Sequence, residues 1–159
     1  EVGAILALAG APADVVIGGI LHDLYESGTS NNSEEAKKPR EKEECWIRSE
    51  FGERIHKLIS LVSETKRSIS EPKPPFIDRK MEIFRNVEQA HREDPVLARK
   101  AATILLAAKV STLSEGLVYF DEHGETKPWS GGDYRDNLRV MLMTRELAAR
   151  LSSSRNLIT

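Results

Sequence analysis

The sequence predicts an all-α domain, a bundle of about six to eight helices. Three observations carry this. Apolar residues recur at helical spacing, as in Ile55, Leu58, Ile59 and Val62, or Met81, Phe84 and Val87. Glycine and proline punctuate the chain where helices should stop and start, at Gly10-Ala11-Pro12 and at Asp94-Pro95. No alternating, strand-like run competes with these patterns, so the class is all-α.

Each element follows from its residues. Val2, Ile5, Leu6 and Leu8 give Glu1 to Gly10 a helical apolar face, and Gly10 stops it. This stretch opens without a start signal and reads as a helix already in progress, which implies residues before Glu1. The next helix is expected from Val15 to Ser27, capped by Asp14. Gly18 and Gly19 in its middle lower helix propensity by roughly 1 kcal/mol each, and such glycines allow close backbone packing. Gly28 to Ser33 is a polar loop. Glu34 to Glu44 is densely charged and interrupted by Pro39, a loop and helix start. Glu41 to Glu50 is helical, Phe51-Gly52 breaks the pattern, and Glu53 to Glu64 is amphipathic.

Ser68 to Pro75 is a proline-rich connector, and Phe76 to Glu93 is the next helix. Asp94 is the N-cap and Pro95 the first turn of a helix expected to run through Phe120. This is the most apolar segment and therefore the expected central core helix. Asp121 to Gly132 is a loop. A last helix runs from Asp133 or Tyr134 to Ser152, with Leu138, Met141, Leu142 and Leu147 on it.

At 159 residues, with 40% apolar and 30% charged residues, the chain suits one domain with one core. A net charge of -2 argues against a DNA-binding surface, which needs a basic excess, but leaves room for a local phosphate pocket. No apolar run approaches the ~20 residues of a membrane span. The amino end has no basic n-region of a signal peptide. Cys45 is the single cysteine, so no internal disulfide or Cys-rich zinc site can form, and its neighbours Glu43 and Glu44 disfavour a thiolate. A cytoplasmic setting is expected.

The residues that carry chemistry stand in ILHDLYE, Leu21 to Glu26 with Ile20 before them. Neighbours on a helix lie about 100° apart and can converge on one ion where the helix lines a pocket. An imidazole and a carboxylate, His22 and Asp23, suit a divalent transition metal such as manganese. Such an ion polarises a phosphoryl oxygen and generates a hydroxide nucleophile. Glu26, three residues from Asp23 and four from His22, lies on the same side as a candidate general base. An isolated His-Asp pair is more often a packed polar pair, so the flanking sequence decides.

That flanking sequence resembles the HD-domain family, specifically stand-alone RelA/SpoT-type (p)ppGpp hydrolase domains. GGILHDLYE resembles the family's apolar run into His-Asp-x-x-Glu-Asp. Phe51 to Lys66 resembles its Phe-Gly-x-x-Val segment, Asp78 to Phe84 its Arg-Lys-x-x-Tyr helix, and Leu105 to Leu113 its Ala-Asp-Lys-Leu-x-Asn-Leu. The order covers nearly the whole chain. The resemblance implies a single HD domain over 1–159 that lacks its first helix at the amino end. It implies a manganese-dependent (p)ppGpp 3'-pyrophosphohydrolase with His22 and Asp23 as metal ligands and Glu26 as the catalytic carboxylate. Lys109, Thr112 and Arg79 are then substrate-binding residues, and the partners are a nucleotide such as (p)ppGpp and a second copy or a covalently linked regulatory domain.

The sequence also departs from the pattern. No histidine precedes His22. Ala108 stands where the family has its distal metal aspartate, Ser27 where it has the partner of the catalytic glutamate, and Thr112 where it has an asparagine. A methyl group cannot ligate a cation, and losing a charged ligand weakens a divalent site. These departures imply the alternative of a catalytically degenerate HD domain, a nucleotide-binding or protein-interaction module. Glu115, on the face of Ala108 and Thr112, is about 10 Å along the helix from Ala108, too far for simple replacement. His56, His91 and His123 read as surface residues. Lys66-Arg67 and Arg79-Lys80 carry charge suited to phosphate, a solvated face being the commoner reading of such pairs, and Trp129 reads as a cover over the core.

Overall fold

A computed structural model describes the backbone of residues 1–24, 37–64, 74–114, 118–120, 126–128 and 131–153, with side chains described for 1–24, 41–64, 74–114 and 134–153. Within these residues the chain is an all-α bundle of six helices with one short two-stranded ribbon. The helices are α1 (Val2–Leu8), α2 (Ala13–Leu21), α3 (Lys37–Val62), α4 (Phe76–Glu93), α5 (Pro95–Ser114) and α6 (Gly131–Ser153). No helix among them is long and apolar enough to cross a membrane.

α5 is the core helix, as its composition implies, and packs against every other helix. Ala98, Ala101, Ala102 and Ile104 are fully buried on it. The small alanines let neighbouring helices approach, and Ile104, Leu58, Ile83, Val87 and Leu147 fill the space between them. The start of α5 is fixed as expected. The Leu97 amide donates to Asp94 Oδ1 at 2.9 Å, which is an N-cap. α4 occupies Phe76–Glu93, and its Ile83, Phe84 and Val87 face the core.

α3 breaks at Gly52, whose φ of 82° and ψ of 168° are open to glycine and costly for other residues. Pro39 does not interrupt α3. It falls in the first turn, where its missing N–H goes unneeded. The glycines of α2 serve close packing. A Cβ on Gly18 would stand 2.7 Å from Ile104 Cδ1, and one on Gly19 would collide with Leu6 Cδ1.

Three expectations need correction. Asp14 does not cap α2; Pro12 holds that position, and Asp14 lies in the first turn, ion-paired with Lys100 of α5. α2 ends at Leu21, so His22-Asp23 follows the helix instead of standing inside it. His22 Nδ1 donates to the Gly19 carbonyl at 2.8 Å, a carbonyl that the Asp23 amide would use in a continuing helix. α5 ends at Ser114, and Val118–Phe120 forms strand β1. It pairs antiparallel with β2 (Thr126–Pro128), Tyr119 opposite Lys127. β-branched and aromatic residues favour that extended pairing over a helix.

Candidate functional site

A cavity of about 280 Å³ opens where the end of α2 meets α4, α5 and α6. Val62, Ile83, Phe84 and Leu105 form its apolar walls. Its polar lining comes from His22, Asp23, Lys80, Lys109, Ser111, Thr112 and Thr144. The helical period explains α5's share, since Ala108, Thr112 and their neighbours Lys109 and Ser111 follow one stripe. Ala108, set by the resemblance at the distal ligand position, lines the same cavity as His22 and Asp23.

The His22 ring is largely buried and Asp23 is 74% exposed at the mouth. His22 Nε2 lies 2.9 Å from Asp23 Oδ1, while Nδ1 meets the Gly19 carbonyl. The Gly19 carbonyl can only accept, so Nδ1 carries a proton, and Nε2 faces the Asp23 carboxyl. The hydrogen bond from His22 holds the Asp23 carboxyl below its ordinary value. Burial acts the other way, and the charges of His22, Lys80 and Lys109 add to the lowering.

Beside the cavity, Phe76 gathers three cations. Arg79, Lys80 and Lys109 stand 5.7, 5.6 and 5.5 Å from its ring centre. Glu64, just past α3, takes Lys80 Nζ at 2.9 Å and receives Arg79 on both carboxylate oxygens. Burial alone would raise the Glu64 pKa, but the hydrogen bonds from Arg79 and Lys80 lower it from 4.5 to about 2. Lys109 Nζ also reaches Asn137 Oδ1 at 3.3 Å.

The expected site residues are thus distributed unevenly. His22, Asp23, Lys109 and Thr112 meet at one cavity. Arg79 adjoins it but is committed to Glu64 and, through Nε, to the Pro74 carbonyl at 3.2 Å. Glu26, Ser27, Glu115 and Trp129 lie outside the described residues, as do Lys66-Arg67 and His123. His56 is buried, contrary to the surface reading. Glu64 and Thr144 were missed. The signal for Thr144 is a hydroxyl on the stripe Val140, Leu147 and Leu151, all buried.

Among the described residues the donor set falls short of a divalent metal centre. Such a centre takes about four or more ligands. Among the described residues no three His, Cys, Asp or Glu side chains gather as a metal set. His22 and Asp23 are bonded to one another, two lysines share the lining, and Ala108 offers a methyl. Cations around a carboxylate favour an anion over a second cation. No family model, curated protein or solved structure matches this chain.

Proposed function

We propose that the chain is an HD-type domain that has lost its hydrolytic centre and binds a nucleotide in the cavity between His22 and Lys109. The observation that carries this is the closed His22–Asp23 pair, with Lys80 and Lys109 lining the same cavity. Lysine ammonium groups are point donors to phosphate. Val62, Ile83, Phe84 and Leu105 offer apolar surface to a base or ribose. The volume of about 280 Å³ stands at the small end of ligand sites, suited to one nucleotide unit. In this reading Lys80 and Lys109 hold phosphate, and Asp23 is satisfied by His22 without repelling the ligand through an unpaired charge.

The test is calorimetry with GMP, AMP and (p)ppGpp, with Mn(II) and with chelator. Binding is expected without metal and unchanged by chelator. Lys80→Ala should weaken it about tenfold or more, the loss of a charged hydrogen bond. Metal-dependent release of pyrophosphate would overturn the reading. One observation favours the alternative of a manganese-dependent phosphohydrolase: a histidine Nδ1 bonded to a backbone carbonyl is how metal sites aim Nε2 at their ion.

A further inference from the structure

The outward face of α5 is unlike that of the helix before it. α4 turns Asp78, Arg85, Asn86, Gln89 and Arg92 to solvent, all of them polar, as on an ordinary surface helix. The corresponding row of α5 is Val96, Arg99, Thr103, Leu106, Val110 and Leu113. These residues recur at alternating steps of three and four, the spacing of a coiled-coil seam. β-Branched residues take one position of the repeat, and Leu106 and Leu113 take the other. Val96 and Val110 are 44% and 42% exposed. Thr103 donates its hydroxyl proton to the Arg99 carbonyl at 2.9 Å, so its polar group is spent within the helix.

α6 carries a matching row. Tyr134, Leu138, Met141 and Arg145 follow the same spacing, and Leu142 beside them is 51% exposed. Contact between the helices sets the two rows side by side. Lys109 of α5 reaches Asn137 of α6. Leu106 and Leu113 lie a turn either side of Lys109, and Tyr134 and Met141 a turn either side of Asn137. The opposite flank of α6 is already occupied, since Arg150 pairs with Glu88 of α4. The charged members of the two rows, Arg99 and Arg145, are both cations, and neither is ion-paired among the described residues. Glu146 follows Arg145 but stands about 100° round the helix. A second copy would crowd arginines from both chains onto one symmetric interface, whereas acidic residues would neutralise them. We propose that α5 and α6 form a two-helix platform that docks an amphipathic helix from a partner protein, apolar along its centre and acidic along its edges. None of these row residues lines the cavity, so the platform is independent of the nucleotide reading.

The probes are two labelled peptides of three heptads with leucine along one face. One carries glutamate at the flanking positions and the other lysine, and like charges keep each from pairing with itself. Fluorescence anisotropy with the full chain should show the glutamate peptide bound about tenfold more tightly. Val110→Glu and Leu142→Glu, both at exposed positions and checked for folding by circular dichroism, should each weaken that binding about tenfold or more. Reversing both arginines, Arg99→Glu with Arg145→Glu, should turn the preference to the lysine peptide. Leu8→Glu, at an apolar residue 91% exposed and outside both rows, is the control and should change nothing. Absence of binding, equal affinity for the two peptides, or an equal loss in Leu8→Glu would overturn the platform. A dimer on sedimentation that Val110→Glu dissociates would also overturn it, because the face would then belong to a second copy.

Discussion

The two halves of α5 follow one helical period through different surroundings. From Pro95 to Ile104 the inward residues Ala98, Ala101, Ala102 and Ile104 are 1% exposed or less. From Leu105 to Ser114 Ala107 and Ser111 stay buried, but the stripe also reaches Ala108, Lys109 and Thr112, which are half buried at the cavity. Ala101 and Ala108 are the same residue on the same helix. In the first half volume decides what is tolerated; in the second, the chemistry of neighbouring groups does. Apolarity alone does not separate the two.

Putting one charge into each half tests this most severely. Ala101→Asp would bury a carboxylate without a partner and should cost more than about 4 kcal/mol, enough to unfold the domain. Ala108→Asp would stand beside Lys80 and Lys109 and should cost within about 1 kcal/mol. Urea unfolding followed by circular dichroism measures both, and equal costs would erase the distinction. Ala108→Asp also tests the metal directly. A third carboxylate or imidazole ligand beside His22 and Asp23 should raise Mn(II) content on elemental analysis above that of the wild type.

Ile104→Ala comes next, with an expected loss of about 2–5 kcal/mol, because its side chain fills space between α5 and its neighbours. Acid should then single out the cavity end. Glu64 is held near 2 in the folded protein against an ordinary 4.5. Its contribution to stability is complete above the unfolded pKa and is lost as pH falls through the folded one. The loss between about pH 5 and 2 should be on the order of 2 kcal/mol in the wild type. It should be smaller in Glu64→Gln, by chemical denaturation at each pH. The smallest effect belongs to the cap of the core half: Asp94→Ala should lower stability by about 1 kcal/mol.

Much of this architecture could be read from local chemistry. Phe76–Glu93, the Asp94 cap and the break at Gly52 depend on residues near in sequence, and all three stand where the pattern puts them. The boundaries that moved depend on competition. α2 stops early because the His22 ring takes a helix carbonyl, and a helical pattern cannot display that rivalry. α5 stops at Ser114 because Val118–Phe120 finds a partner strand eight residues on, at Thr126–Pro128. At the site, four expected residues meet, on the strength of a resemblance more than of spacing. Glu64 was illegible because its role is set by Arg79 and Lys80, fifteen and sixteen residues away across a connector. Thr144 was legible only as a hydroxyl on an apolar stripe.

Gly52 has a consequence for how the bundle opens. It divides α3 into an arm and a core segment. From Glu41 to Glu50 the arm buries Ile47 alone, which joins Ile55 and Ile59 in a small cluster beside Ile17, Leu21 and Leu24. Past Gly52, Leu58 and Val62 belong to the main core. Among the described side chains, Ile47 is the one buried anchor of the arm, while the segment beyond Gly52 shares the stability of the whole. Native-state hydrogen exchange should resolve α3 into two cooperative units, with arm amides exchanging by a local release and those of Leu58 to Val62 only by global unfolding.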